Sequence, residues 1–150
     1  MNEQNLEVFV DGLTNYFDKT TSSEAKVGTP FLIQDINSYL SDYTGIIGIS
    51  GNYKGSVFFT APELMITKLI SEIGVLTTQE EKLMDLVGEI SNTISGNARS
   101  VFGNQFMLST PVVLKGKGED LRVSNVADIY VIPVVWKTMS AQLIINLNPE

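Results

Sequence analysis

The sequence predicts a mixed α/β (α+β) domain assembled from two copies of one helix-plus-three-strand unit. Three observations carry that prediction. Two stretches repeat apolar residues at three- and four-residue steps, the period of an amphipathic helix. Short β-branched and aromatic runs punctuated by glycine and asparagine have the composition of strands and hairpins. A pattern also recurs: Thr29-Pro30-Phe31-Leu32-Ile33 is echoed by Thr110-Pro111-Val112-Val113-Leu114, and Ala61-Pro62-Glu63 by Asn148-Pro149-Glu150. The copies are too few and the period too long for a solenoid. No linker or low-complexity tract separates the halves, so residues 1–150 are expected to form a single domain around one core.

Each element has its own signal. Residues 5–19 place Leu6, Phe9, Val10, Leu13 and Phe17 on one helical face. Polar residues 20–26 predict a loop. Residues 28–35 predict an extended segment, with Pro30 near its start, where proline is tolerated. Residues 44–50 and 53–60 flank Gly51-Asn52, a tight-turn dipeptide, and so predict a hairpin. Pro62 suits the first turn of a second helix, which Leu64, Met65, Lys68, Leu69 and Ile73 carry to Gly74. Thr77 and Thr78 can cap a third helix, whose first turn holds Glu80 and Glu81, the charge the helix dipole favours there. That helix is expected to run to about Phe102 and stop at Gly103-Asn104. Residues 106–115 read as one strand, 116–120 as a turn, and 129–136 with 140–147 as a closing strand pair.

Composition excludes whole classes of chemistry. The 150 residues are 43% hydrophobic, carry a net charge of −7, and include neither cysteine nor histidine. That rules out disulfides, thiol nucleophiles, cysteine-bearing zinc sites and every catalytic arrangement that needs an imidazole. Asp11, Asp18, Asp35 and Asp42 are scattered and form no calcium-loop spacing, so no tightly bound metal is expected. An acidic chain lacks the clustered lysine and arginine that nucleic acid or anionic lipid requires. The N-terminus has no signal-peptide pattern, and no apolar run approaches the ~20 residues of a membrane helix. A soluble cytoplasmic protein is the expectation.

The third helix holds the unusual residues. Successive helical side chains are ~100° apart. Leu83, Val87, Ile90, Ile94, Ala98 and Val101 therefore share one face, the expected core side. Asp85, Glu89, Asn92, Gly96, Arg99 and Gly103 share the opposite one. Glu89 and Asn92, three apart, are surface neighbours. Gly88 and Gly96 each cost ~1 kcal/mol relative to alanine in a helix, and an exposed glycine leaves a flat place that another backbone can approach. The stripe reads either as a docking and catalytic face for a protein partner or as an ordinary solvated face. Lys115-Gly116-Lys117-Gly118 lacks the spacing of a phosphate loop and reads as a hairpin turn. Trp136 reads as core, and Met65, Met84 and Met107 as gap-fillers.

The segment Gly88-Glu89-Ile90-Ser91-Asn92-Thr93-Ile94-Ser95-Gly96-Asn97-Ala98-Arg99 resembles the signature helix of the bacterial chemotaxis phosphatases, the CheC/CheX/FliY family. The resemblance extends to Gly45-Ile46-Ile47-Gly48-Ile49-Ser50-Gly51 with Lys54-Gly55-Ser56-Val57, to Thr110-Pro111 with Gly116-Lys117-Gly118, and to Val131-Ile132-Pro133. It implies a pseudo-symmetric fold with long helices packed on an antiparallel sheet. It implies hydrolysis of the aspartyl phosphate of a CheY-like response regulator, which ends a chemotaxis signal. Glu89 and Asn92 would be the catalytic pair, with Asp85, Gly96 and Arg99 binding the partner. CheC-type members carry a second such pair in the first helix. The ungapped repeat offset instead places Val8 and Asp11 opposite Glu89 and Asn92, so the chain is closest to the CheX type, whose members are homodimers. An unpaired strand edge would be the natural seam. No cofactor of its own is implied, since the receiver supplies Mg²⁺. The rival reading is a non-catalytic adaptor that docks a receiver or a motor protein.

Overall fold

Helix α1 (Glu3–Thr20) begins two residues before the expected segment 5–19, because Asn2 and Asn5 cap each other. The Asn5 amide donates to Asn2 Oδ1 at 2.8 Å, and the Asn2 amide to Asn5 Oδ1 at 3.2 Å. The helix buries Leu6, Phe9, Leu13 and Phe17 as its period predicts, and Tyr16 with them. The computed structural model describes residues 1–77, 79–116, 121, 123 and 127–149. Within these, α1 is followed by β1 (Ala25–Val27), β2 (Phe31–Ile33), β3 (Tyr43–Gly51), β4 (Tyr53–Ala61) and α2 (Glu63–Glu72). Then come α3 (Glu80–Phe102), β5 (Phe106–Leu108), β6 (Val112–Lys115), β7 (Ile129–Trp136) and β8 (Met139–Pro149).

All these strands belong to one antiparallel sheet. From one edge the order is β1 and β2 together, then β7, β8, β4 and β3, then β5 and β6 together at the far edge. The duplication predicted from the sequence is therefore real: each half is a helix, a broken edge strand and a hairpin. The edge strands are exchanged. β1 and β2 of the first half pair with β7 of the second, and β5 and β6 of the second pair with β3 of the first. β4 and β8 join the halves at the centre.

The recurring Thr-Pro explains why each edge strand is broken. A proline has no N–H to give to the ladder. Before each Thr-Pro one last bond is made, from Gly28 N to Pro133 O at 2.8 Å and from Ser109 N to Gly48 O at 2.9 Å. Pairing resumes only at Phe31 and Val112. Residues 106–115 are thus two short strands rather than one, and the expected loop over 20–26 gives its last two residues to β1. The hairpin at Gly51-Asn52 forms as expected. Gly51 has φ 96°, and a Cβ there would run into the Gln105 carbonyl, so only glycine fits.

Other expectations are corrected. Pro62 is the N-cap of α2, not a first-turn residue, and the Glu63 amide is taken by Asp42 Oδ2 at 2.8 Å. Leu64 and Ile73 point outward from α2, whose buried face is Met65, Ile66, Leu69 and Ile70. Gln79 caps α3. Thr77 Oγ1 accepts from the Gln79 amide at 3.0 Å, and Thr78 lies outside the described residues. β8 runs through Pro149, which stands opposite Tyr53, so Asn148-Pro149 lies inside a strand instead of after one. Lys115 ends β6 and Gly116 follows it at φ 82°; the rest of the expected turn over 116–120 lies outside the described residues. Met107 is 46% exposed and fills no gap, whereas Met65 and Trp136 are fully buried.

The main core lies between the sheet and the three helices and includes Phe9, Phe17, Phe59, Phe106 and Trp136. Burying each such side chain contributes roughly 1.5–3 kcal/mol. A smaller cluster on the opposite face, Ile36, Leu40, Phe58, Ile129, Val131 and Ile144, is capped by the 3-10 turn Ile36–Tyr39. α3 lies directly against the sheet at Gly45. A Cβ there would run into Ser91 Oγ and lie 2.9 Å from the Val87 carbonyl oxygen. No helix among the described residues is long and apolar enough to cross a membrane.

Candidate functional site

α3 is held from below and bare above. Leu83, Leu86, Val87, Ile90, Ile94 and Ala98 are buried, and the Ser91 hydroxyl donates to the Val87 carbonyl inside the core. Glu80 in the first turn is tied to Lys115 Nζ of β6 at 2.9 Å, and the Gly103 amide closes the C-terminus onto the Arg99 carbonyl at 2.8 Å. A helix fixed along its length presents its outer residues in one rigid register.

The structure brings the sequence candidates onto that outer stripe. Asp85, Glu89, Asn92 and Arg99 are exposed, and Gly96 is half-buried with nothing within 4 Å of where its Cβ would be. At ~1.5 Å rise per residue, Glu89 and Asn92 sit less than one turn apart. Among the described residues neither makes a hydrogen bond or ion pair, so the carboxylate and the amide are both available to a partner. Two assignments are corrected. Val101 is 62% exposed, because the last turn of α3 meets the sheet through Phe102 instead, whose ring lies 5.1 Å from those of Tyr53 and Phe106. Gly88 is buried and serves packing: a Cβ there would lie 3.1 Å from Val113 Cγ2 and 3.6 Å from Pro111 Cβ.

Three features had no prominent sequence signal. Tyr16 of α1 lies beside Glu89. Burial pushes its phenol from an ordinary 10.0 up to about 12; a bond with Thr20 works against the rise and the Glu89 charge adds to it. Tyr16 therefore stays protonated at neutral pH and cannot act as a base there. The contact of Gly45 with Ser91 sets the height of α3 on the sheet. A groove of about 510 Å³ runs between the first half of α3 and β6. Met84, Gly88, Pro111 and Val113 form its apolar part, with Glu80, Glu81, Asp85 and Glu89 around it. Only Thr110-Pro111, already conspicuous as a repeat, pointed toward it. Among the described residues no three acidic side chains cluster closely enough to hold a metal ion.

A duplicated antiparallel sheet with its helices on one face is a fold this chain shares with CheC-like chemotaxis proteins. The chain is similar to a CheC-like superfamily protein from Shewanella sp. PV-4 (29% identity, 99% of each chain covered, TM-score 0.86). It is also similar to the chemotaxis protein CheX from Vibrio vulnificus (27% identity, 97% of this chain and 99% of that one, TM-score 0.85). The CheX–CheY–BeF₃–Mg²⁺ complex from Borrelia burgdorferi contains a chain of the same fold (17% identity, 96% and 97% covered, TM-score 0.78). A search of curated proteins finds no match. Residues 43–135, more than half the chain, match the chemotaxis phosphatase CheX family, and the chain belongs to that family.

Proposed function

We propose that this protein hydrolyses the aspartyl phosphate of a CheY-like receiver domain in the cytoplasm and so ends a chemotaxis signal. The observation that carries the reading is the unpartnered Glu89–Asn92 pair on the rigid outer stripe of α3, in a chain of the CheX family. The Borrelia CheX bound to CheY with BeF₃ and Mg²⁺ supports a receiver as the partner.

The chemistry suits a chain without histidine. An aspartyl phosphate is a labile mixed anhydride. Its hydrolysis needs an in-line water and neutralised charge on the phosphoryl group. The receiver's own Mg²⁺ and lysine supply the charge. Asn92 supplies the missing part, an amide that orients the water, as glutamine does in small GTPases. Water attacks phosphorus, the bond from phosphorus to the aspartate oxygen breaks, and the carboxylate leaves with the electron pair. The water's protons leave with phosphate or pass to solvent, so no general base is needed. A hundredfold acceleration requires only ~2.7 kcal/mol, within reach of one positioned group. Glu89 pairs with the receiver's lysine and sets the register, while Asp85, Gly96 and Arg99 border the contact. The protein needs no cofactor of its own, and a stoichiometric metal found by elemental analysis would contradict this. A homodimer joined at one of the two sheet edges completes the reading and is checked by sedimentation; Leu32 of β2 at one edge is 59% exposed, and Val112 of β6 at the other is 56% exposed.

The test is single-turnover phosphate release beside equilibrium binding to a receiver carrying BeF₃. Asn92→Ala should lose hydrolysis and keep binding, because a bond to the attacking water matters in the transition state. Glu89→Ala should harm both, and the two effects should not add, since water is placed only after docking. If the parent binds receivers but never accelerates hydrolysis, the protein is an adaptor.

A further inference from the structure

The groove beside α3 is not needed to hold a water or a lysine, yet it opens directly off the pair proposed to do so: Glu89 belongs to both. Its floor and its rim differ in character. Met84, Pro111 and Val113 give an apolar floor, and Gly88 adds no side chain to fill it. The floor exists because the Thr110-Pro111 break lifts the edge strand off the ladder between Ser109 and Val112, while Gly88 lets the helix approach Val113 closely. The rim is acidic. Glu80 is satisfied by Lys115, but Glu81, Asp85 and Glu89 have no cation among the described residues.

This combination selects its occupant. Three uncompensated carboxylates repel a phosphate or another anion and attract a cation, and more strongly in a chain of net charge −7. The apolar floor gains nothing from a bare ion, but it takes a side chain out of water. We propose that the groove is a specificity subsite that receives an apolar side chain flanked by lysine or arginine, on the surface of the receiver next to its phosphorylation site. This rests on the proposed receiver docking and deepens it: Glu89 and Asn92 perform the chemistry common to receivers, and the groove decides which receiver is served. Carboxylates on the rim steer encounter, and the buried apolar contact slows departure.

The experiment measures affinity for a BeF₃-loaded CheY-like receiver as salt is varied, with phosphate release from the phosphorylated receiver measured in parallel. Glu81→Lys with Asp85→Lys, both at exposed positions, should weaken binding about tenfold and flatten its salt dependence. Met84→Gln should weaken binding severalfold and leave the salt dependence as in the parent, because it alters only the floor. Reversing the receiver's basic residue should restore the affinity of the rim variant. If both variants bind within about twofold of the parent with the same salt dependence, the groove is not a subsite, although the phosphatase reading stands. If the parent binds but releases no phosphate, the phosphatase reading fails, and the affinity series still decides the groove. If the parent binds no receiver, both are overturned. Circular dichroism of each variant confirms that weak binding is not unfolding.

Discussion

α1 and α3 occupy equivalent places in the two halves, yet only one carries a candidate site. The repeat offset sets Val8 and Asp11 of α1 against Glu89 and Asn92 of α3. Val8 is half-buried and packs on the core, where Glu89 is exposed. Glu7 stands where α3 has Gly88. Each helix borders a groove at its Thr-Pro break. The one beside α1 measures about 550 Å³ and is lined in part by Leu6, Glu7, Pro30 and Tyr130. The comparison separates scaffold from chemistry. Duplication supplied two helices, two broken edges and two grooves, and a polar pair on one outer stripe distinguishes the second half.

Four experiments break or sharpen that contrast. The largest expected difference is between the outer stripes themselves. Asn92→Ala should lower single-turnover phosphate release about a hundredfold, while Asp11→Ala, the equivalent change on α1, should leave it as in the parent. Equal losses would mean that both helices are used.

Next is how tightly each helix is seated. Gly45→Ala should destabilise by about 3 kcal/mol, because its methyl would collide with Ser91 and the Val87 backbone, which cannot yield. Gly12→Ala, between α1 and α3, should cost less than about 1 kcal/mol. Its methyl would meet Ile94 Cγ2 at 3.3 Å and the mobile end of Asn97 at 3.4 Å. Denaturant unfolding of both variants gives the comparison.

The seam between the helices should titrate. Tyr16, raised to about 12 in the fold from 10.0, binds its proton more tightly folded than unfolded. Its contribution is complete below pH 10.0 and is lost as pH rises toward 12. At about 1.4 kcal/mol per unit the loss is of order 3 kcal/mol. Tyr16→Phe should flatten the alkaline limb of stability measured against pH; an unchanged limb would remove Tyr16 from the account.

The smallest effect concerns the two glycines of α3. Gly96→Ala should stabilise by up to ~1 kcal/mol, since its Cβ enters open space. Gly88→Ala should gain less or lose, because Val113 must give way. Gly96→Arg should remain folded and bind the receiver more weakly. A collapse in Tm for Gly96→Arg would mean that the position is packed after all.

The three helices, the Gly51-Asn52 hairpin, the duplication and the outer stripe of α3 were legible in the sequence alone. Each is local or periodic: a helical stripe repeats every turn, Gly51-Asn52 dictates its own hairpin, and two Thr-Pro pairs mark the repeat. Glu89, Asn92 and Gly96 were legible because a polar pair and a glycine stand out on a stripe opposite a regular apolar one. Only the tertiary structure decided that the halves exchange edge strands, that Gly88 is packed while Gly96 is bare, and that Asp42 caps α2 from twenty-one residues away in sequence. The groove also belongs to that second group. Met84, Pro111 and Val113 come from a helix and from both sides of a strand break, and no period relates them. Such facts depend on which surfaces meet, and contacts between segments distant in the chain leave no periodic trace in it.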